Sequence, residues 1–559
     1  MIVPKAGVSY REMVTGGRFY YGAEIVTTRG IPVRGSPNRL LDLAQLLLAD
    51  PRIGWISITD NPGGVPMLPP DWLAGLLSAD RSQVVLHLTC KDMNRNGLEA
   101  AAWHYAAEGF DNLLALTGDY PTAGFGGVAA PVFDLDSVGL VRLLRSMNEG
   151  LEIPARQGGV HKLPSTHFFI GCVVSPFKRQ ERELLPQYFK LFRKIRAGAH
   201  WVIPQLGYDM RKFHEVKLVL ASRGIQVPVL GNAHVLNRAV ARLFNSGKLP
   251  GCVVTDELMA RADRYSAGPD RGRRFFYELA ARQLAVFKGL GFAGGYLGGL
   301  SQADAFGDVI ELAESYAPDD WREFIKEIQF SQPDEFFLFE HDPHTGLSDP
   351  TRINPQYLKS LQRPPRSREV TLGYRFSRWV HNWLFTRGKG LYRVMQRIYA
   401  RWDKRPGVLS RLAYWLERQS KHLGYGCQDC GDCSLADCAF LCPLAGCPKQ
   451  MRLGPCGGSC AGRCELGDRD CFWARVYDRL KYYGESPEMF AGPIVLYDAQ
   501  LRHTSSWANT YLDRDHVAAR DRDEGHAPSP AAQSEEAQQQ AEEPPSQTAG
   551  RESQGPAGE

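Results

Sequence analysis

Between residues 18 and about 300, short apolar runs alternate with longer stretches whose apolar residues recur at helical spacing. The runs are rich in β-branched and aromatic residues, which is typical of buried strands. The stretches between them, such as NRLLDLAQLLLAD and LLPQYFKLFRKIRAGA, predict helices. Eight runs are predicted to be strands: 19–26, 54–59, 83–90, 112–118, 166–174, 200–205, 228–233 and 294–299.

Eight strand–helix repeats favour an α/β fold of the (β/α)8 TIM barrel type over an open doubly wound sheet. No G-x-G-x-x-G motif opens a helix after the first run, which also counts against a dinucleotide-binding sheet. The barrel is predicted to occupy residues 1–304. Its chemistry is expected at the carboxyl ends of the strands, where such barrels build their active sites.

Polar side chains collect at these predicted strand ends. Glu24 lies inside the first apolar run, so its carboxyl is expected to be partly buried, and burial raises a carboxyl pKa as a general acid requires. His87, in the third run, is either a hydrogen-bonded core histidine or a site residue, and both interpretations stay open. The other residues at these ends are Thr59, Asp60, Thr89, Thr117, Gly118, Asp119, Ser175 and Gln205.

A second chemical feature is a cluster of cysteines, because ten of the thirteen lie between Cys427 and Cys471. Buried free thiols behave as small hydrophobic groups and would be scattered through the core. The short spacings, with Gly, Pro and Asp between the thiols, instead favour convergence on metal centres. The ten candidate ligands are Cys427, Cys430, Cys433, Cys438, Cys442, Cys447, Cys456, Cys460, Cys464 and Cys471.

Disulfides are the alternative, and they are typical of small secreted proteins. This chain has 559 residues and no secretory signal at its start, so we expect a cytoplasmic protein with reduced thiols. No run of about 18 apolar residues predicts a membrane span. Ten cysteines can serve two zinc ions or two [4Fe–4S] clusters. A partial match to a ferredoxin motif favours iron–sulfur, and zinc stays open.

The rest of the chain divides by composition. A helical, basic, Trp-rich connecting region is predicted for 305–425, with sixteen Lys or Arg against three Asp or Glu between Lys359 and Lys421. Its apolar residues either pack between domains or form a docking face for an acidic partner such as ferredoxin. The Cys-rich domain is placed at 426–512 and a disordered tail at 513–559. The net charge of +4 argues for no polyanionic partner.

The barrel resembles the methylenetetrahydrofolate reductases. The likeness rests on AEIVTT (23–28), HLTCKDMNRNGLEAAAWHYAAEGFDNLLALTGDYP (87–121), KIRAGAHWVIPQLGYD (194–209), PVLGNAHVLN (228–237) and ELAARQLAVFKGLGFAGGYL (278–297). The resemblance implies a flavin (FAD or FMN) in a (β/α)8 barrel that reduces 5,10-methylenetetrahydrofolate, a tetrahydropterin, to 5-methyltetrahydrofolate. It implies NAD(P)H or ferredoxin as the electron donor.

The resemblance also assigns roles to positions. Glu24 matches the general acid, Asp119 the carboxylate near the flavin and pterin rings, and Gln205 a glutamine that hydrogen-bonds the substrate. This agrees with the chemistry, because reduced flavin supplies the hydride and the protein must orient the rings and provide one acid. The positions that match flavin contacts are Thr59, His87, Thr117, Gly118, Asp119, Arg193 and Lys194, the last two near its phosphate.

Residues 442–481 are similar to the small zinc- or cluster-binding partner of anaerobic methylenetetrahydrofolate reductases, which also occurs fused to the barrel. The shared residues read CPLAGCPKQMRLGPCGGS, then GRCE and CFWARVYDRLK. This resemblance implies that the domain relays electrons to the flavin or docks a redox-partner protein. The sequence leaves the oligomeric state open, a homo-oligomer included.

The chain departs from the family pattern at four places. F-E-F-F-P-P reads A-E-I-V-T-T around Glu24, and T-Q reads Pro204-Gln205. A position that often carries a substrate-binding glutamine is Val240, and GGLSQAD lacks the arginine expected after the eighth strand. These changes leave recognition of the pterin tail open, and with it a related one-carbon pterin.

Two other functions compete with reduction. Pterin-dependent methyl or methylene transfer on the same barrel needs no redox step, and flavin content distinguishes it from a reductase. A scaffold that binds nucleic acid through zinc knuckles would make no use of Glu24, Asp119 or Gln205. We therefore favour the reductase and expect no nucleic-acid partner.

Overall fold

Eight parallel strands form the barrel that the sequence predicts. The computed structural model describes residues 7–33, 37–77, 80–155, 158–249, 251–487, 489, 494 and 496–518, so most of the predicted tail lies outside it. The strands are β1 Tyr20–Ile25, β2 Ile53–Ile58, β3 Val84–Thr89, β4 Asn112–Leu116, β5 Phe169–Val174, β6 Trp201–Pro204, β7 Leu230–His234 and β8 Gly294–Gly298. They pair in the order 6-5-4-3-2-1-8-7, and a bridge between Val202 and Val229 joins β6 to β7. All eight predicted strands are confirmed.

Helices alternate with these strands, because the stretches between the strands carry apolar residues at helical spacing. Between β4 and β5 lies a small hairpin, Glu152–Pro154 with Val160–Lys162, that the sequence did not predict. The helices of this part are α1 Tyr10–Thr15, α2 Arg39–Ala49, α3 Pro70–Gly75, α4 Arg95–Ala107, α5 Ser137–Glu149, α6 Glu181–Ala197, α7 Met210–Ala221, α8 Arg238–Asn245, α9 Asp256–Ser266, α10 Arg273–Gly289, α11 Ala303–Ser315 and α12 Trp321–Glu327.

Helix α1 covers the amino-terminal end of the barrel. The Tyr10 ring contacts Trp55 on β2 and Trp201 on β6, with ring centroids 5.2 and 5.4 Å apart. Glycines make room for both indoles, since a Cβ on Gly22 or Gly171 would lie within 2.2 Å of a tryptophan ring atom. This end is filled with aromatic side chains, so a ligand has access only from the carboxyl end.

The connecting region begins with a two-stranded sheet, β9 Phe339–His341 and β10 Ser348–Ile353, that packs on α7. Glu215, on α7, is fully buried and accepts hydrogen bonds from the Tyr188 hydroxyl at 2.8 Å and from the Leu338 amide at 2.7 Å. The connecting segment is therefore attached to the barrel by a buried carboxylate.

The remaining helices form the C-terminal part: α13 Pro355–Gln362, α14 Leu372–Leu384, α15 Gly390–Lys404, α16 Val408–Tyr425, α17 Pro443–Gly446, α18 Phe472–Tyr482 and α19 Ser506–Tyr511. None of the helices in the described residues is long and apolar enough to span a bilayer. After α19 the chain returns to the Cys-rich domain, where buried His516 contacts Asp432 and Asp437.

The Cys-rich domain lies on the carboxyl end of the barrel. Lys178, in the loop after β5, donates hydrogen bonds to the carbonyl oxygens of Gly457 and, at 2.6 Å, Ser459. Lys190 on α6 donates to the Gly454 carbonyl at 3.2 Å. All three carbonyls belong to the segment 454–459, which we call the glycine loop. The glycine loop thus lies over the barrel mouth.

Replacing Glu215 with Ala should destabilise the barrel by about 3 kcal/mol, because the mutation leaves buried donors on Tyr188 and Leu338 without an acceptor. Glu323→Ala is the control, since Glu323 forms an exposed ion pair with Lys326 and should cost less than about 0.5 kcal/mol. Urea unfolding monitored by circular dichroism measures both. Equal midpoints for the two variants would contradict the anchoring role of Glu215.

Candidate active site at the barrel mouth

A cavity of about 240 Å³ lies between the carboxyl ends of the barrel strands and the Cys-rich domain. Eight of the nine residues assigned to catalysis or flavin binding from sequence line it: Glu24, Thr59, His87, Thr117, Gly118, Asp119, Lys194 and Gln205. The Cys-rich domain adds a second group: Lys449, Pro455, Cys456, Gly457, Gly458 and Glu465. The cavity is therefore built by both domains.

Glu24, at the end of β1, is a half-buried carboxyl that accepts one strong hydrogen bond. The Tyr296 hydroxyl, from β8, donates to its Oε2 at 2.7 Å. Burial raises the pKa of the Glu24 carboxyl, and the hydrogen bond from Tyr296 only partly opposes this. A Cβ on Gly298 would lie 3.0 Å from Oε1, so the glycine keeps that oxygen accessible. The side chain is suited to hold a proton on Oε1.

His87 is a hydrogen-bonded residue of the barrel core and also lines the cavity. Both interpretations left open by the sequence, a core histidine and a site residue, therefore apply. Its Nε2 lies 2.8 Å from Ser57 Oγ. Burial lowers the pKa of His87 to about 3, because the charged imidazolium would be desolvated. The ring is neutral at physiological pH and can act only as a hydrogen-bonding group.

Two carboxylates lie near the ends of β2 and β4. Asp60 accepts hydrogen bonds from the amide and hydroxyl of Thr89, and burial raises the pKa of Asp60. Asp119 accepts a hydrogen bond from the Gly63 amide at 2.8 Å. Gly118 before it has φ +86°, and a Cβ there would lie 2.9 Å from the side chain of Lys91. The glycine therefore allows the turn that places Asp119 in the cavity.

The cavity contains buried polar atoms that have no hydrogen-bond partner among the described residues. These atoms are Thr59 Oγ1, Ser175 Oγ and Gln187 Nε2. Gln205 uses its Oε1 to accept from the Leu206 amide at 3.0 Å, which leaves its amide group available. Buried polar atoms without partners are costly, so they are expected to bind a ligand. These donors and acceptors suit a polar heteroaromatic ring such as a pterin or the flavin ring.

The two basic residues assigned to the flavin phosphate differ in their surroundings. Lys194 lines the cavity and donates to the Val173 carbonyl at 2.6 Å, and burial lowers the pKa of Lys194 to about 8. Arg193 does not line the cavity. Burial lowers the pKa of Arg193 to about 10, and its charged neighbours include Asp437 of the Cys-rich domain. A phosphate contact by Arg193 stays a prediction.

Comparisons with known proteins identify the barrel and the C-terminal region. A family model described as Methylenetetrahydrofolate reductase matches residues 36–288, and one described as Methylene-tetrahydrofolate reductase C terminal matches residues 408–496. Together they cover more than half of the 559 residues. The chain belongs to the methylenetetrahydrofolate reductase family. Both resemblances inferred from the sequence are confirmed, and the protein is an oxidoreductase of this type.

No curated protein matches the sequence significantly. Among solved structures, one is described as an uncharacterized protein from Clostridium thermocellum that binds two copies of 5-methyl-5,6,7,8-tetrahydrofolic acid. It aligns with 55% of this chain and 98% of its own, at 10% identity and a TM-score of 0.40. This likeness is too weak to transfer a ligand to the chain.

The cysteines of this reductase separate into two groups of four. Cys427, Cys430, Cys433 and Cys442 line one small cavity of about 20 Å³, and we call them the outer set. Burial, and then the charge of Cys433, raise the pKa of Cys430 to about 12. Four thiols around one space match the ligand number of a zinc ion or a [4Fe–4S] cluster.

The inner set consists of Cys447, Cys456, Cys464 and Cys471. Burial, and then the charge of Cys456, raise the pKa of Cys447 and of Cys471 to about 12, so these side chains are near neighbours. Burial raises the pKa of Cys464, and a hydrogen bond from the Leu466 amide opposes this rise. The charge of Cys456 adds to the rise. Among the described residues no three His, Cys, Asp or Glu side chains are spaced to hold one metal ion. One cysteine per iron of a cluster spaces the sulfurs more widely than a single zinc does.

Cys438 and Cys460 belong to neither group. Cys438 is fully buried in the hydrophobic core, and Cys460 is exposed. The two sets are joined by α17, which begins after Cys442 and ends before Cys447. At 1.5 Å rise per helical residue, these two cysteines are about 7.5 Å apart along the axis. Cys456 lines the active-site cavity, so the inner set is next to the barrel mouth.

Sequence reasoning missed several cavity residues. Tyr296 could have been found from the sequence, because it carries the one polar side chain in the glycine-rich run of β8. Asn232 lies on β7 and donates to the Pro204 carbonyl at 3.0 Å. Lys449 and Glu465 carry no sequence signal of a site, because a charged residue between cysteines is typical of a solvated loop. Their position follows only from the docking of the two domains.

The two sets predict the metal content of cysteine variants. Cys456→Ser should lower the metal bound per chain to about half that of the wild type, because a serine hydroxyl is a poor substitute for a thiolate ligand. Cys460→Ser is the matched control and should keep the full content. Iron and zinc are measured by mass spectrometry on protein purified without oxygen. Equal losses in both variants would contradict the division into two sets.

Proposed function

We propose that this chain is a flavin-dependent reductase that converts 5,10-methylenetetrahydrofolate to 5-methyltetrahydrofolate in one-carbon metabolism. The observation that carries the proposal is the cavity of a family barrel in which the Glu24 carboxyl is hydrogen-bonded to Tyr296 and has a raised pKa. Reduction of a methylene bridge between two nitrogens needs a proton on one of them before a hydride can add to the carbon. Glu24 is the acid in place for that proton.

FAD or FMN, when bound, supplies the hydride. The residues that would hold the flavin line the cavity, and they are Thr59, His87, Thr117, Gly118, Asp119 and Lys194. Neutral His87 orients a ring without adding charge, since burial keeps its pKa near 3. Gln205 offers its free amide to the substrate. The chain itself therefore supplies orientation and one proton.

Glu24 has separate contacts for its two oxygens. Oε2 accepts the hydrogen bond from Tyr296, so the transferable proton is placed on Oε1. The raised pKa of Glu24 favours the protonated form that a general acid needs. The Cys-rich domain contributes residues to the lining of the cavity, so it partly covers Glu24.

We infer that electrons reach the barrel through the Cys-rich domain. The inner set contacts the cavity through Cys456, and the outer set is one short helix away. The outer set is next to α16, where Tyr414 donates to Asp429 at 2.8 Å. Its metals would be [4Fe–4S] clusters rather than zinc if they carry electrons, since zinc has no redox chemistry.

An acidic electron-carrier protein of the ferredoxin type is the partner that fits the surface near the outer set. Phe376, Trp379 and Trp383 form an exposed stack on α14, with successive ring centroids 6.0 and 5.5 Å apart. The segment from 359 to 421 carries sixteen basic and three acidic residues. Charge complementarity and an apolar centre are typical of such docking surfaces.

The alternative is transfer of a methyl or methylene group on the same barrel without a redox step. The absorption spectrum of protein purified without oxygen and incubated with FAD or FMN distinguishes the two. The reductase is expected to bind flavin and show its visible bands, together with broad iron–sulfur absorption. A protein that stays colourless with added flavin would support the transferase.

Replacing Glu24 with Gln should lower folate reduction by a factor of about 100 or more, within the range of general acid catalysis, while flavin stays bound. The activity of the wild type should fall as pH rises through the raised pKa of Glu24, because only the protonated acid is active. Rates measured across pH with reduced flavin test both statements. Thr28→Ala, a change outside the cavity lining, is the control and should keep the wild-type profile. Full activity of Glu24→Gln would remove Glu24 from the acid role.

A further inference from the structure

Lys449 and Glu465 form a buried ion pair in the roof of the active-site cavity. The Lys449 Nζ lies 2.5 Å from Glu465 Oε1, and the two side chains are 4% and 6% exposed. Gly458 of the glycine loop leaves space for the pair, since a Cβ there would lie 2.2 Å from the Glu465 carboxyl group. Both residues come from the Cys-rich domain, yet both line the cavity of the barrel.

The Lys449 ammonium reaches across the domain boundary. It donates a hydrogen bond to the Gly118 carbonyl at 3.2 Å, directly before Asp119. An ammonium has three donors, and within the described residues Glu465 and Gly118 are the acceptors for two of them. The third donor has no hydrogen-bond acceptor among the described residues, the Phe133 ring centroid lies 5.8 Å from Nζ, and a group inside the cavity can accept from it. Lys194, the other lysine of the cavity, is bound to the Val173 carbonyl at 2.6 Å.

The charge around this donor indicates what it binds. Glu465 balances the charge of Lys449, and Asp119 adds a second carboxylate to the cavity. A fully anionic ligand group would meet these carboxylates, and repulsion would weaken its binding. A neutral, strong acceptor such as the carbonyl oxygen of a pterin ring gains a charge-assisted hydrogen bond without that penalty.

We propose that Lys449 is a substrate-binding residue supplied by the Cys-rich domain, that it donates to the ring carbonyl of the pterin, and that Glu465 positions it. This rests on the proposed function, since it takes a tetrahydropterin as the substrate. The barrel without the Cys-rich domain then has an incomplete binding site. The C-terminal domain is needed to bind the substrate, independently of any electron transfer.

The test is the affinity of the full chain for 5-methyltetrahydrofolate, measured by calorimetry without oxygen or electron donor. Lys449→Met should weaken binding by a factor of about 10 to 100, the value of one hydrogen bond to a charged group. Lys449→Arg should restore part of the loss, because it keeps the charge. The matched control is Lys481→Met, which removes another buried lysine of the same domain, paired with Glu181 of the barrel away from the cavity. It should change the affinity by less than about threefold.

The role of Glu465 is tested by a double mutant. Glu465→Gln should weaken binding in the wild type and have no further effect in the Lys449→Met background, because it acts through Lys449. Additive losses would overturn the positioning role. Melting temperature and metal content are measured for each variant. The affinity of a variant is compared with that of Lys481→Met when the two have the same melting temperature and metal content.

The outcomes separate the two proposals. A wild-type chain that does not bind 5-methyltetrahydrofolate overturns the proposed function and, with it, this assignment. Binding by the wild type with an unchanged affinity of Lys449→Met overturns only the assignment of Lys449. A selective loss in Lys449→Met, with Lys481→Met near wild type, supports a substrate site shared between the domains.

Discussion

Two buried ammonium groups hold the glycine loop against the barrel, and the closed active site depends on this contact. Lys178 and Lys190 lie inside the domain boundary, where an ammonium without acceptors would be strongly destabilising. Their acceptors are backbone carbonyls of the glycine loop, and Lys190 also lies 3.3 Å from Asp136. Because the acceptors of Lys178 come from the glycine loop, docking of the Cys-rich domain is coupled to satisfying its charge, and docking adds an acceptor for Lys190.

Closure of the mouth sets the chemistry beneath it. Burial at the mouth disfavours charged forms, which raises the pKa of Glu24 and lowers that of His87. Docking of the Cys-rich domain brings Cys456 and Lys449 into the same cavity. One interface therefore determines the charge of the roof and the distance between the inner set and the barrel.

The barrel and most of its site could be predicted from the sequence because both depend on local periodicity. Each strand is a short apolar run, and a residue at its carboxyl end must lie at the mouth, so Glu24, Asp119 and Gln205 follow from their place in the runs. Arg193 lies on α6, where the rotation of the helix about its axis decides which way a side chain points. Tertiary packing fixes this rotation, so the direction of Arg193 could not be predicted from the sequence. Lys449 and the division of the cysteines depend on contacts between residues far apart in sequence, which periodicity does not contain.

The order of the cysteines along the chain is also their order in space, and the short helix α17 is the reason. Its four residues place Cys442 and Cys447, the nearest members of the two sets, about 7.5 Å apart along the helix axis. The two sets are therefore adjacent. Since Cys456 of the inner set is fixed at the cavity by the glycine loop, the outer set must lie farther out, beside α16. A domain that only braced the barrel from outside would not need a thiol in the active-site cavity, so the position of Cys456 links the Cys-rich domain to the site itself.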